Sequence, residues 1–263
     1  IYSYMDMWYN PSSLYSPAQE AANALKSAKE TVAHFLNSEM YEVYFTSCGS
    51  ESNCWAIQGF VQNRLKKGRI PSVITSVIEH KSILSCVDGI GVDVHFIDVD
   101  TNGCIDLRAL EDTLKYVISQ KSGEDILVSI QYANNEIGTI QHIHDIALTV
   151  HKYGAIFHTD AVQAFGHIPI DVKASKIDML SASGHKIGTP KGIGILYKKE
   201  DVKISPLIYG SQMNGLRGGT ENLPYIMGFA KAVELCSVDM KQKKYLTTIK
   251  QRDYMIGELL DKI

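Results

Sequence analysis

Residues 155–197, AIFHTDAVQAFGHIPIDVKASKIDMLSASGHKIGTPKGIGILY, contain three short apolar runs. The runs cover 155–160, 178–183 and 192–197, and each has the length and composition of a buried β-strand. The first run ends in Asp160, and the second is followed, after one glycine, by His185 and Lys186. Ligands of open α/β sheets bind at the carboxyl ends of the strands, so these polar residues mark a candidate site.

The same alternation of strands and helices extends over the rest of the chain. It predicts an α/β domain with a mostly parallel sheet between helices. Ser16 and Gln19 have the spacing of a capping box, Pro17 suits the first helical position, and Asp106 is expected to cap a helix. The further predicted strands are 42–46, 72–78, 92–97 and 126–131; the predicted helices are 16–36, about 51–66, 80–88, 106–119, 142–152 and 221–263.

Composition excludes several classes of protein. The 263 residues are 45% hydrophobic and 21% charged, which is typical of a folded globular chain. With 26 basic and 29 acidic side chains the net charge is −3, which argues against nucleic acid or a membrane as partner. No apolar run approaches the roughly 18 residues of a membrane span, and the first residues do not resemble a secretory signal. Five scattered cysteines without a CxxC pair predict neither disulfides nor a metal site and favour the cytoplasm.

Several loops after predicted strands carry residues that chemistry often uses. SCGSES at 47–52 enters a helix and offers backbone N–H groups and hydroxyls, which suit a phosphate. Asp160 ends a strand, Lys186 follows another, His80 follows 72–78, and Asn134 and Asn135 follow 126–131.

Each of these features also has an ordinary structural explanation. Ser50 suits a helix N-cap, and a buried Asp160 suits a cap or salt bridge. Lys186 suits a surface lysine, His80 a structural histidine, and the Asn pair a turn. Together, however, they match the needs of pyridoxal phosphate: a helix N-terminus for the phosphate, a carboxylate for the pyridine nitrogen, and a lysine for a Schiff base.

Five segments in this order and spacing resemble one known family. The chain is similar to the class V aminotransferase-like pyridoxal phosphate enzymes, and among them to the cysteine desulfurases. The resemblance runs from the Asn-Pro-Ser-Ser segment at 10–13 to the Arg-Gly-Gly-Thr segment at 217–220. The segments that carry it are YFTSCGSESN at 44–53, IEHKSIL at 78–84, VSIQYANNEIGTIQ at 128–141, HTDAVQAFGHIPID at 158–171 and SASGHKIGTPKGIGILY at 181–197.

The resemblance implies a role for each candidate residue. Lys186 would hold the cofactor as a Schiff base and move the substrate α-proton, and Asp160 would pair with the pyridinium nitrogen. His80 would stack on the ring and assist proton transfer. The remaining implied contacts are Gln163 to the phenolic oxygen, Asn135 to that oxygen and the substrate, Gly49, Ser50, Ser183 and His185 to the phosphate, and Thr220 to the phosphate of a neighbouring subunit.

The resemblance also implies an architecture and an activity. The fold would be the type I pyridoxal phosphate-dependent transferase fold, with a cofactor-binding large domain over 1–235, a helical connection over 236–263, and a small C-terminal domain largely absent. The enzyme would convert L-cysteine to L-alanine and pass the sulfur as a persulfide to an acceptor protein, for iron–sulfur cluster or thio-cofactor synthesis. It would be a homodimer.

Departures from the family leave alternatives open. Cys48-Gly49-Ser50 replaces the usual Gly-Ala-Thr, and Arg217-Gly218-Gly219-Thr220 replaces the usual Arg-Ser-Gly-Thr. The family's sulfur-accepting cysteine and its substrate-binding arginine would lie after Ile263, so the chain as given is expected to be inactive alone. Another class V activity (a selenocysteine lyase, β-lyase or aminotransferase) and a non-catalytic dimerising remnant are the alternatives.

Overall fold

The computed structural model describes residues 1–262 and contains a seven-stranded sheet covered by helices on both faces. None of the helices in these residues is long and apolar enough to cross a membrane. The strands are β1 Val43–Thr46, β2 Ser72–Ser76, β3 Asp93–Ile97, β4 Ile126–Ser129, β5 Ile156–Asp160, β6 Met179–Ser183 and β7 Gly194–Lys198. The helices are α1 Tyr2–Met5, α2 Ser16–Leu36, α3 Gly49–Leu65, α4 Lys81–Asp88, α5 Leu107–Ile118, α6 Ile143–Lys152, α7 Leu223–Lys241 and α8 Tyr245–Leu260.

The sheet has the order β1-β7-β6-β5-β4-β2-β3. Only β7 runs against its neighbours, and the other six strands are parallel to one another. The prediction of a mostly parallel α/β sheet is therefore confirmed. Because the six strands point the same way, the loops that follow them meet at one edge of the sheet.

Alternate strand residues face two separate cores, as the period of two in a strand requires. Ile126 and Val128 of β4 pack in the larger core, which α2, α5, α6 and α7 cover. Leu127, between them, packs in the smaller core under α3 and α4. Trp55 of α3 is fully buried in this smaller core, where its ring N–H donates to the carbonyl of Ser205 at 3.0 Å. The first turn of α3 and that of α4 thereby lie on the same side of the sheet.

Of the two predicted helix caps, one is wrong and the other is confirmed. Ser16 and Gln19 do not form the predicted capping box: Tyr15 is the N-cap of α2 and makes no side-chain cap bond. The Gln19 amide instead donates to the carbonyl of Leu14 at 3.2 Å, and Pro17 is the second helical residue. The predicted cap at Asp106 is confirmed, because its carboxylate accepts the N–H of Arg108 at 2.8 Å.

The predicted domain boundary at residues 235 and 236 falls inside α7. No side chain of α8 is buried among the described residues. The division into a large domain and a connection stays a prediction.

Candidate active site

A cavity of about 180 Å³ opens at the edge of the sheet where the parallel strands end. Nine of the ten residues predicted for the site line it, although they come from five separate loops. Thr220 does not. The nine are Gly49, Ser50, His80, Asn135, Asp160, Gln163, Ser183, His185 and Lys186.

The first turn of α3 forms one wall of the cavity. Cys48 is the N-cap, not Ser50, because the Cys48 sulfur accepts the N–H of Glu51 at 3.4 Å. The N–H groups of Gly49 and Ser50 belong to the first turn, where a helix offers them no acceptor of its own. A Cβ at Gly49 would lie 2.6 Å from the Val162 side chain, so the backbone approaches the loop after β5 closely. This turn thus presents donors and the positive end of a helix dipole to the cavity.

Asp160 is a buried carboxylate at the end of β5, with 6% of its surface exposed. Its Oδ1 accepts the N–H of Val162 at 2.9 Å, and its Oδ2 accepts the Asn53 amide at 2.7 Å. Burial raises the pKa of Asp160 above its ordinary value, while these two bonds and the nearby His80 partly oppose that rise. A positive charge placed beside this carboxylate would stabilise its ionised form.

Asn53 and Ser82 belong to the site, and sequence reasoning missed both. The Asn53 Nδ2 donates to Ser82 Oγ at 2.9 Å as well as to Asp160. Asn53 lies one helical turn after Gly49 and so shares its face of α3, which is the one signal that the sequence offered.

His80 is the N-cap of α4. Its Nδ1 accepts the N–H of Ser82 at 3.1 Å and lies 2.8 Å from Ser82 Oγ. Both bonds are local, since they join residues two apart, and they hold the ring at the rim of the cavity.

Lys186 lies in a 3₁₀ turn, Gly184–Ile187, directly after β6. Gly184 has no room for a side chain, because a Cβ there would lie 2.6 Å from Ile193 and 2.9 Å from Phe229. Ser183 Oγ lies 2.9 Å from the Nδ1 of His185. Partial burial, and then the positive charge of Lys186, lower the pKa of His185 below its ordinary value. The turn therefore places a neutral imidazole, a hydroxyl and a primary amine together.

Glu79 is a second buried carboxyl that was not predicted. Its Oε1 accepts Ser76 Oγ at 2.6 Å and the N–H of Gln131 at 2.9 Å. Burial, with a smaller contribution from the charge of Asp160, raises the pKa of Glu79 to about 8. Glu79 is therefore largely protonated at neutral pH. It does not line the cavity, whereas Asp160 does.

The Asn pair divides into two roles. Asn134 forms the turn, because its Oδ1 accepts the N–H groups of Glu136 and Ile137 at 2.8 and 2.9 Å. Asn135 is exposed and lines the cavity, as does the half-buried Gln163. Both amides are placed to bond a molecule in the cavity.

Thr220 lies in an exposed segment that an ion pair ties to α3. Arg217 meets Glu51 at 3.0 Å, and both side chains are largely buried. Burial opposes ionisation of Glu51, but hydrogen bonds from Arg217 and Ser47 hold its pKa below the ordinary value. The ion pair holds the segment that contains Thr220 against the first turn of α3. Thr220 itself lies outside the cavity.

The residues present fit pyridoxal phosphate. The first turn of α3, with Ser183 and His185, offers N–H, hydroxyl and imidazole groups to a phosphate. The burial of Asp160 is only partly compensated by two donors, so a protonated ring nitrogen would supply the missing positive charge. Lys186 supplies an amine on the same cavity.

A model of the aminotransferase class-V family matches residues 2–262. A cysteine desulfurase IscS from Methanosarcina thermophila is 42% identical over 255 residues, which are 95% of this chain and 61% of that protein. A putative cysteine desulfurase, IscS 1 from Bacillus subtilis, is 42% identical over 90% of this chain and 62% of its own length. The chain thus spans about three fifths of these relatives.

Solved structures agree with the sequence relatives. A NifS-like protein superimposes with a TM-score of 0.88 at 35% identity, covering 98% of this chain and 70% of the other. A structure described as SspA in complex with cysteine has a TM-score of 0.79 at 40% identity, covering 88% of this chain and 65% of its own. These similarities confirm the predicted fold class.

Proposed function

Since the chain belongs to the class-V aminotransferase family, we propose that it is the cofactor-binding part of a cysteine desulfurase. Enzymes of this family depend on pyridoxal phosphate, which confirms the predicted cofactor. The activity would convert L-cysteine to L-alanine and pass the sulfur on as a persulfide. The cavity is the main support for the proposal, because a lysine, a buried carboxylate and a helix N-terminus from three different loops line it together.

The chain's own residues would bind and orient the cofactor. When bound, pyridoxal phosphate supplies an electron-withdrawing ring that stabilises negative charge at the substrate α-carbon. Asp160, held by Asn53 and Val162, would keep the ring nitrogen protonated. His80 would stack on the ring. The groups proposed for the phosphate are the N–H groups of Gly49 and Ser50, the Ser50 and Ser183 hydroxyls and the His185 imidazole.

Lys186 would hold the cofactor covalently and then move the substrate α-proton. Because it lies in a tight turn directly after β6, its backbone is fixed, and only the flexible side chain has to move. Gln163 would bond the phenolic oxygen of the cofactor, and Asn135 would lie beside that oxygen and the substrate. Both line the same cavity as Lys186.

The proposed function implies partners and a location. L-cysteine is the proposed substrate, a sulfur-acceptor protein receives the persulfide, and the cytoplasm is the proposed location. We also propose a homodimer in which Thr220 reaches the neighbouring subunit's phosphate. Its exposed position outside its own cavity supports that role. Residues 1–235 and 236–263 remain the proposed large domain and connection.

The test is product analysis on the full-length gene product with L-cysteine and a dithiol reductant. Equal amounts of alanine and sulfide are expected, and Lys186→Ala should form neither. Lys191→Ala is the matched control, because this exposed lysine lies outside the cavity. Pyruvate and ammonia in place of alanine would indicate a β-lyase, and activity that survives Lys186→Ala would contradict the proposed site.

A further inference from the structure

A continuous line of hydrogen bonds joins two residues that line the cavity, Asp160 and His80. It runs from Asp160 Oδ2 to Asn53 Nδ2 (2.7 Å), from there to Ser82 Oγ (2.9 Å), and on to His80 Nδ1 (2.8 Å). Ser82 lies in the middle and bonds both neighbours. The line crosses from β5 through α3 to the start of α4.

The direction of each hydrogen in the line follows from the donors and acceptors available. An ionised Asp160 only accepts, so the Asn53 amide donates to it and uses its second hydrogen toward Ser82 Oγ. The Ser82 hydroxyl then has its own hydrogen free for His80 Nδ1. The backbone N–H of Ser82 can only donate, and it also points at Nδ1, at 3.1 Å. Nδ1 thus receives two donors and carries no hydrogen itself.

We propose that Ser82 is a positioning residue that fixes the tautomer of His80, so that the neutral ring carries its hydrogen on Nε2. This inference rests on the proposed function for its chemical meaning, but not for its structural content. Ser82 touches no reacting atom in this account and acts only through His80 and Asn53.

The fixed tautomer restricts the neutral His80 ring to donating a hydrogen bond through Nε2. The neutral ring presents a donor, Nε2–H, because Nδ1 is occupied by Ser82. To accept a proton at Nε2, the neutral ring would first have to move its hydrogen to Nδ1, where the Ser82 N–H opposes it. His80 therefore serves as a hydrogen-bond donor toward a bound acceptor, and the α-proton transfer falls to Lys186 alone.

The test is nitrogen NMR of the purified, cofactor-free protein labelled with [15N]histidine. The His80 ring signals are assigned by their loss in His80→Gln. The wild type should show Nδ1 far downfield of Nε2, as an unprotonated ring nitrogen is. In Ser82→Ala one of the two donors is lost, so the Nδ1–H tautomer gains population and the separation narrows. Ser82→Thr, which keeps the hydroxyl, should restore the wild-type separation.

Ser85→Ala is the matched control, since this exposed serine lies on the same helix outside the cavity. An Nδ1–H tautomer in the wild type would overturn the proposal, and so would an unchanged separation in Ser82→Ala. Narrowing of equal size in Ser82→Thr would overturn it as well, because it would show that the hydroxyl is not what matters. The wild-type spectrum still tests the tautomer if Ser82→Ala does not fold, because an Nδ1–H signal there would overturn the proposal. The measurement needs neither cofactor nor substrate, so its failure is distinguishable from failure of the proposed function.

Discussion

Replacing Asn53 by alanine removes one of the two hydrogen bonds that Asp160 receives from the described residues. The bond is short, at 2.7 Å, and both side chains are buried. A hydrogen bond to a charged group contributes about 1.5–3 kcal/mol, against about 0.5–1.5 kcal/mol for a neutral pair. We therefore expect Asn53→Ala to lower the free energy of unfolding by a pH-dependent amount, in addition to a pH-independent loss of packing.

The sign of the pH dependence follows from the pKa of Asp160. Burial raises that pKa above the value in the unfolded chain, so between the two values the folded protein binds the extra proton and loses stability as the pH rises. Removing the Asn53 donor raises the folded-state pKa further. The penalty of Asn53→Ala is thus greatest where Asp160 is ionised and shrinks as the pH falls through its folded-state pKa.

Urea unfolding of the cofactor-free protein, repeated over a series of pH values from alkaline to acid, measures both parts. Gln62→Ala, on the same helix and half-exposed, should cost a small amount that does not depend on pH. A penalty for Asn53→Ala that is the same throughout the series, or larger in acid, would refute the reasoning that Asn53 stabilises the charge of Asp160.

Two other variants test the packing around the site. The neighbouring thiol of Cys86 lowers the pKa of Cys54, so Cys86→Ala should slow alkylation of Cys54 by iodoacetamide at neutral pH. Peptide mass mapping measures the rate, and an unchanged rate would show that the two thiols do not interact. Gly184→Ala should lower the free energy of unfolding by about 1–3 kcal/mol, because a methyl group has no space there. Gly89→Ala, which faces open space, is its control, and equal losses in urea unfolding would contradict the tight turn.

The strands and helices were largely predictable because their signals are local. Short apolar runs predicted all seven strands, including β3, which lies at the edge of the sheet and is partly exposed. Small shifts occurred where burial ended. Predicted strand 72–78, for example, ends at Ser76 because the Val77 side chain is 42% exposed. The capping box at Ser16 failed since several residues near a helix start compete as caps, and the Gln19 side chain found the carbonyl of Leu14 instead.

The supporting residues of the site were not predictable in the same way. Asn53 and Asp160 are 107 residues apart, and Asn53 and Ser82 are 29 apart, so only the packing of α3 against α4 and the sheet makes them neighbours. Glu79 has no sequence signal either, because its pKa depends on burial that exists only in the folded chain. His80, Asn135, Asp160 and Lys186, by contrast, lie at or after strand ends, where a simple topological rule applies. Gln163, Ser183 and Thr220 were implied only by the family resemblance.

The most direct test of the account is the identity of the lysine that binds the cofactor. The protein is incubated with pyridoxal phosphate, reduced with borohydride and digested, and the modified peptide is identified by mass spectrometry. A single reduced pyridoxyl group is expected on Lys186 in the wild type, and none is expected in Lys186→Ala. A modified lysine elsewhere in the wild type, or undiminished labelling of Lys186→Ala, would contradict this assignment.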